Sequence, residues 1–388
     1  MNVDELISIY SNGLLNDTVP FWIKNSVDKE YGGFLFSLDR DGSIIDTDKA
    51  VWIQGRFTWL LSRLYNQVSK NEEWLDLARH GIDFIRKKCF DTDRRAFFLL
   101  TREGLPLRKR RYIYSEIFII AALAEYSIAS GEQKAAEEAL DLYKQVVYLL
   151  TNDLLPPKVN PATRISKSLS IPMVMICTAQ ILRNAINDKQ YCENEINKYI
   201  SEVETDFLKQ EFRATLESVG SNGEFQDNFN GRLLCPGHSL ELAWFILDEA
   251  VYQGGDEKLI NLGLKIIDWM WNWGWDKDYG GIIYYKDVMN LPVQEYWHDM
   301  KFWWPQCEAL IATIMAYWLT KDKKYANWHL LLHEWVYKKF PDIEYGEWFG
   351  YLHRDGSISS SIKGNYWKGP FHIPRMQLKC WQILEKIK

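Results

Sequence analysis

Six times along this 388-residue chain, at intervals of sixty-odd residues, a strongly apolar segment opens with a short cluster of chemically capable side chains. The clusters are Val51 to Arg56, Tyr112 to Glu116, Ser170 to Met173, Cys235 to Glu241, Trp303 to Glu308 and Gly369 to Arg375. Four carry a proline near the start of the apolar run, and Pro172, Pro236, Pro305 and Pro370 follow one another at 64, 69 and 65 residues. A fixed period of this kind means one structural unit repeated along the chain. Proline has no amide hydrogen to lose at the first helical position and its φ is already set for it, so each proline marks a helix N-terminus. Each unit therefore presents its chemistry at a helix start.

Between the clusters the order repeats: an amphipathic helix, a second one, then a short turn-rich strand pair. The helices that follow the clusters are apolar all round, as in Phe57 to Leu64 and Phe118 to Leu123, whereas their successors carry a charged face, as in Glu73 to Arg79 and Glu132 to Leu149. A helix without a polar face is buried and one with a polar face borders water, which makes the first of each pair inner and the second outer. Leu6 to Leu15 supplies one more outer helix, and Met376 to Ile387 ends the chain as an inner one. Tyr31 to Gly42, Arg95 to Gly104, Tyr279 to Tyr285 and Trp348 to Gly356 read as hairpins, brief apolar or aromatic runs bounded by glycine turns. The expectation is an all-α chain, one domain over residues 1–388, folded as an (α/α)6 barrel of six inner and six outer helices with small β-hairpins at one end. Parallel inner helices then point all six N-termini at one mouth, which carries a positive partial potential suited to an oxyanion. An open solenoid, the alternative, spreads the same residues along a concave surface.

Eighteen tryptophans and 21 tyrosines are more aromatic surface than a core requires. Part of it is expected to line a cavity, where aromatic faces suit the C–H faces of sugars and the polar tips reach hydroxyls. A net charge of −6 excludes a phosphate-neutralising nucleic-acid binder. The one basic run, Arg108-Lys109-Arg110-Arg111, reads as a solvated loop, with an anion or nucleotide effector site as its functional alternative. The Met1 to Leu6 start has no basic residues leading into an apolar run, and no stretch reaches membrane-spanning length, so a cytoplasmic protein is expected. Six cysteines without paired spacing read as reduced, buried thiols.

Aligned on their prolines, the fourth and sixth clusters place His238 and His372 in the same slot. Two imidazoles on equivalent positions of non-adjacent helices approach a central ligand from different sides. Because histidine titrates near pH ~6.5, such a pair can accept a proton on one face and deliver one on the other. Glu241 follows His238 by three residues and Arg375 follows His372 by three, close enough to orient the rings or to pair with each other's neighbours. Glu308 and Arg56 are candidates for holding substrate oxygens, arginine through its forked donors. Trp303 and Trp304 offer a sugar-stacking platform. His80, His329 and His333 fall on outer helices and His353 on a hairpin, which assigns them to the surface; His298 belongs to neither group. His329 and His333 are four apart but lack the glutamate of a zinc protease helix, and no phosphate loop, nucleophile elbow or dinucleotide-binding glycine motif occurs, so no metal or nucleotide site is expected by motif.

Taken together, these segments resemble the N-acylglucosamine 2-epimerase family over nearly the whole chain. The residues that carry the resemblance are Trp52 to Arg56, Ser115-Glu116, Ile171 to Met173, Pro236 to Glu241, Trp304 to Glu308 and Trp367 to His372. The resemblance implies the (α/α)6 barrel, acid and base roles for His238 and His372, and catalytic or binding roles for Arg56 and Glu308. The candidate substrate-binding set is Trp52, Gln54, Glu116, Met173, Glu241, Trp303, Trp304, Trp367 and Arg375. At the third cluster the cellobiose epimerases and aldose-ketose isomerases of the superfamily carry a histidine-containing segment, whereas this chain has Ser170-Ile171-Pro172-Met173, which favours the N-acetylglucosamine branch. That branch implies an amino sugar as the small-molecule partner, ATP as an activator that is not consumed, no other cofactor, no metal, and a homodimer.

The expected reaction is the interconversion of N-acetyl-D-glucosamine and N-acetyl-D-mannosamine. The ring opens, one histidine takes the C2 proton, the enolate oxygen is held by Arg56 or the helix N-termini, and the other histidine reprotonates C2 from the opposite face. His372 is assigned as the base on the glucosamine epimer. The rivals are an epimerase or isomerase of unacylated sugars on the same fold, a glycoside hydrolase using Glu241 and Glu308 as its carboxylate pair, and a binding protein without catalysis.

Overall fold

The computed structural model describes all 388 residues, Met1 to Lys388. α1 (Val3–Asn12) continues through a π-helical stretch (Gly13–Thr18) into α2 (Val19–Ser26), and together they form the first outer rod. There follow α3 (Val51–Gln67), α4 (Glu72–Lys88), α5 (Tyr114–Ser130), α6 (Gln133–Thr151), α7 (Ser170–Arg183), α8 (Lys189–Glu202), α9 (Pro236–Tyr252), α10 (Glu257–Gly274), α11 (Trp303–Thr320), α12 (Lys323–Lys339) and α13 (His372–Ile387). The odd-numbered helices from α3 to α13 are the inner ring of an (α/α)6 barrel. No helix is long and apolar enough to cross a membrane.

Burial follows the periodicity that separates the two rings. In α5 twelve of seventeen residues are buried, on every face, whereas α4 buries only a stripe of Trp74, Leu75, Ala78, Gly81, Ile82, Phe84 and Ile85. The rings also differ at their N-termini. Asn2, Asn71, Asp256 and Asp322 cap the outer helices α1, α4, α10 and α12 by accepting from a first-turn amide, but no inner helix has a side-chain cap. Val51 N and Trp303 N are taken by the Phe98 and Gly350 carbonyls, but no side chain competes for the remaining first-turn amides of the inner helices.

The strands are two or three residues long and tie successive repeats together. The residues entering α3, α7, α9 and α11 pair antiparallel with the next repeat: Lys49–Ala50 with Leu99–Leu100, Lys167–Ser168 with Ser218–Val219, Leu233–Leu234 with Lys286–Asp287, and Lys301–Phe302 with Tyr351–Leu352. Three of the four expected hairpins form, Ser37–Leu38 with Ile44–Asp46, Leu99–Leu100 with Pro106–Arg108 and Tyr351–Leu352 with Ile358–Ser360, but the run Tyr279 to Tyr285 makes only a bridge, Trp275 to Ile282, and its strand lies beyond it. The first outer helix is likewise longer than Leu6 to Leu15, because Pro20 sits in the first turn of α2, where its missing amide costs nothing.

A three-residue charge device recurs beneath these strands. Asp28 accepts from Lys49 at 2.8 Å and from both sides of the Arg102 guanidinium at 3.0 Å. Asp276 with Lys301 and Arg354, and Asp342 with Lys363 and Arg40, repeat it. Removing one member would strand a buried charge, a loss of ~3–5 kcal/mol. The third copy joins residue 40 to residue 342, so it closes the ring between the first and last repeats. The closure continues in the interior, where Tyr10 of α1 bonds His329 at 3.0 Å and His333 at 2.9 Å on α12. Both histidines are buried, contrary to the surface role read from the outer-helix position, because His329 turns inward onto α11, where its Nδ1 lies 3.1 Å from the Leu310 carbonyl, and Tyr10 reaches both rings.

Candidate active site

A single cavity of about 990 Å³ occupies the axis of the barrel, and all six inner helices contribute to its wall. That is the upper end of the ~300–1,000 Å³ typical of small-molecule sites. Its mouth is aromatic, with Trp52, Tyr112, Phe118, Tyr284, Trp304 and Trp367 among the lining residues, and both His238 and His372 open onto it. The two imidazoles contact the same indole: Trp304 lies 4.9 Å from His238 and 5.8 Å from His372, ring centre to ring centre. Gly237 makes this possible, since a Cβ there would stand 2.6 Å from the Trp304 ring.

His372 is the first residue of α13, and its Nδ1 is 2.7 Å from Oε1 of Glu308. A carboxylate only accepts, so Nδ1 carries the hydrogen and Nε2 is left with a free lone pair. Glu308 is fully buried and also accepts from Trp244 Nε1 at 2.8 Å and Arg375 Nη2 at 2.7 Å. Burial pushes the Glu308 carboxyl up, but these donors hold it as the anion that fixes the ring. Arg375 also binds Glu241. Burial, and then the Arg375 charge, hold His372 well below the ordinary histidine value, so it is neutral and poised as a base.

His238 lies in the first turn of α9, and its Nδ1 is 3.0 Å from Oε1 of Glu217. Burial depresses this imidazole, yet the adjoining Cys235 and Glu217 lift it well above the ordinary value. The Cys235 thiol is itself pushed up by burial and stays neutral near pH 7, so Glu217 supplies the negative charge that matters there. The two imidazoles are thus shifted in opposite directions, His238 towards the protonated and His372 towards the neutral form.

Arg56 supplies the remaining charge. Its guanidinium stands 4.2 Å from the Phe118 ring, 4.6 Å from Trp52 and 4.8 Å from Phe371, with no carboxylate in salt-bridge range and its Nε buried without a partner. Burial pulls it down to about 9, which still leaves it charged at neutral pH. An unpaired buried cation at the mouth is set to receive a substrate oxyanion. On α5 and α7, next to the helix that carries His238, Met173 and the chain Tyr114 to Ser170 at 2.7 Å and Ser170 to Ser168 at 2.8 Å complete the wall.

Of the residues singled out from sequence, Trp52, Arg56, Met173, His238, Glu241, Trp303, Trp304, Trp367, His372 and Arg375 line the cavity. Three do not. Gln54 is fully buried and clamps the backbone of Phe34, accepting from its N–H and donating to its C=O at 2.8 Å each. Gln306 does the same to Ile282, which shows that the glutamine of the Trp-Xaa-Gln segment is a repeat fastener. Glu116 likewise accepts from the Ala96 amide and pairs with Arg95. Glu308 lies behind His372, bonded to its Nδ1, and is not part of the cavity wall. The basic run is also engaged, with Lys109 on Asp91 and Asp93 and Arg110 over Phe98. Glu217 and Trp244 went unnoticed; Trp244, three residues after Glu241, was within reach of the same spacing argument, whereas Glu217 sits on a loop that carries no periodic signal.

The sequence profile described as N-acylglucosamine 2-epimerase (GlcNAc 2-epimerase) matches residues 32–373. The N-acylglucosamine 2-epimerase of Bos taurus is 34% identical over 96% of this chain and 90% of its own length. The cellobiose 2-epimerase of Dictyoglomus turgidum is 25% identical over the full length of both. In three dimensions, the cellobiose 2-epimerase from Bacillus thermoamylovorans superposes with a TM-score of 0.86, covering 98% of this chain and 99% of that one at 22% identity, a likeness of fold. With profile, relatives and site geometry in agreement, the chain belongs to the N-acylglucosamine 2-epimerase family.

Proposed function

We propose that the protein interconverts N-acetyl-D-glucosamine and N-acetyl-D-mannosamine by two-base epimerisation at C2. The observation that carries this reading is the pair of imidazoles on one cavity, each with Nδ1 committed to a glutamate and Nε2 free, and with opposite resting protonation. In the ring-opened sugar, Nε2 of His372 removes the C2 proton and the electron pair passes to the C1 carbonyl oxygen. Arg56 and the uncapped inner-helix termini stabilise the oxyanion. Nε2 of His238 then delivers a proton to the other face. The acyl amine is supported by the 34% identity to the bovine N-acylglucosamine 2-epimerase against 25% to the cellobiose enzyme, and by a third-cluster wall of Met173, Tyr114 and Ser170.

A proton NMR time course on N-acetylglucosamine, with mannose and cellobiose in parallel, tests the substrate. Conversion of the N-acyl sugar alone supports the reading, and faster conversion of either unacylated sugar overturns it. Against a hydrolase stands Arg375, which engages both Glu241 and Glu308 and leaves neither free as a proton donor. Homodimer assembly, ATP as an unconsumed activator and a cytoplasmic setting belong to the same reading and rest on the family resemblance; ATP in the NMR assay and light scattering test the first two.

A further inference from the structure

Two groups of metal-ligand side chains meet in this barrel, and they differ in one respect. Glu241, Glu308 and His372 bring their ligand atoms within 4.8 Å of one another, but Arg375 already occupies the space as their cation. Glu217, Cys235 and His238 meet within the same 4.8 Å limit with no arginine or lysine among them, and the only ion-pair partner of Glu217 is His238. One carboxylate oxygen of Glu217, Oε2, is buried without a hydrogen bond.

We propose that Glu217, Cys235 and His238 form an inhibitory site for a thiophilic divalent cation of the Zn²⁺ class. Thiolate, imidazole and carboxylate are the three donor types that zinc accepts, at ~2.0–2.3 Å, and tetrahedral donors then stand roughly 3.3–3.7 Å apart. Small side-chain rotations close the triad to that spacing. The backbone is already fixed: Glu217 N donates to Leu233 O at 3.1 Å, Glu217 O accepts from Leu169 N at 3.1 Å, and Cys235 is the residue from which α9 starts. Three donors leave a fourth position open towards the cavity for water. On binding, the Cys235 thiol and His238 Nδ1 each release a proton to solvent as the Sγ and Nδ1 lone pairs pass to the cation. His238 then loses its bond to Glu217 and its part in proton transfer, so an occupied site is an inactive enzyme. Sequence spacing gave no hint of it, because Glu217 is 18 residues from Cys235 and arrives by strand pairing.

Co²⁺ titration of the full-length enzyme, stripped of metal by chelator, tests this site independently of the epimerase reading, since binding is seen by absorbance. The expected result is a thiolate-to-cobalt charge-transfer band saturating at one equivalent. Parallel assays should show inhibition by Zn²⁺ that EDTA reverses. Cys235→Ala and the near-isosteric Cys235→Ser should lose the band and raise the Zn²⁺ needed to halve each variant's own turnover by about 10-fold or more, a loss common even for supporting groups around a metal. Absence of the band in the parent enzyme, or equal Zn²⁺ sensitivity in folded Cys235 variants, would overturn the proposal.

Discussion

His372 and Glu308 share a 2.7 Å contact in which the carboxylate can only accept, so the proton of the imidazole sits on Nδ1 and Nε2 keeps the free lone pair that the proposed base needs. Glu308→Gln keeps the shape but offers an amide that can donate to Nδ1 and favour the other tautomer. The expected result is a fall in kcat of about 100-fold or more with KM little changed. A variant that loses affinity while keeping kcat would place Glu308 in substrate binding instead.

The opposite shifts of the two histidines give a bell-shaped kcat/KM profile. Its acid limb lies below the usual histidine value, where His372 gains a proton, and its alkaline limb lies above it, where His238 loses one. Glu217→Gln removes the negative charge that keeps His238 protonated, so the alkaline limb should move to lower pH while the acid limb stays. A uniform drop in rate with unmoved limbs would reduce Glu217 to a structural role.

Arg56 is desolvated without a carboxylate partner, a cost to folding that the surrounding rings offset in part and the proposed oxyanion contact would repay. Arg56→Met should therefore lower kcat by about 100- to 1,000-fold while leaving the thermal midpoint unchanged or higher. Thermal melts decide it, since a marked drop in Tm would show that the guanidinium supports the aromatic cage around it.

Acid stability should depend on two histidines far from the chemistry. Burial holds His329 down at about 3 and His333 at about 4, so both are neutral when folded. The unfolded chain takes up protons on them below pH ~6.5, and the stability they confer, full above that value, is lost progressively as pH falls towards 4 and 3. The other titrating groups are common to both proteins, so a His329→Gln/His333→Gln variant should show a flatter Tm slope than the parent between pH 7 and 5. Equal slopes would contradict the buried neutral pair.

The barrel was legible from the chain because its two rings differ in periodicity and its prolines mark helix starts. The histidine pair was legible because matched slots in a repeat imply matched geometry. Gln54 and Glu116 misled for the same reason that Arg56 did not: neighbouring positions in one helical turn face opposite ways, Arg56 to the axis and Gln54 to the strand layer at Phe34. The recurrence of Trp-Xaa-Gln in the first and fifth clusters was the available clue to a structural role. His329 and His333 misled because a polar residue on an outer helix looks solvated, whereas His329 turns inward onto the Leu310 carbonyl of α11 and both rings meet the buried Tyr10 hydroxyl. Glu217 had no signal at all, since only tertiary pairing brings its loop to His238.

The claim that two opposed histidines serve the two faces of C2 is tested most directly by turnover in deuterium oxide. Early in the reaction of N-acetylglucosamine, the N-acetylmannosamine formed should carry deuterium at C2 in nearly every molecule while recovered substrate remains unlabelled. Product that retains protium at C2, or substrate that is labelled as fast as product appears, would contradict it and point to a single base working on both faces.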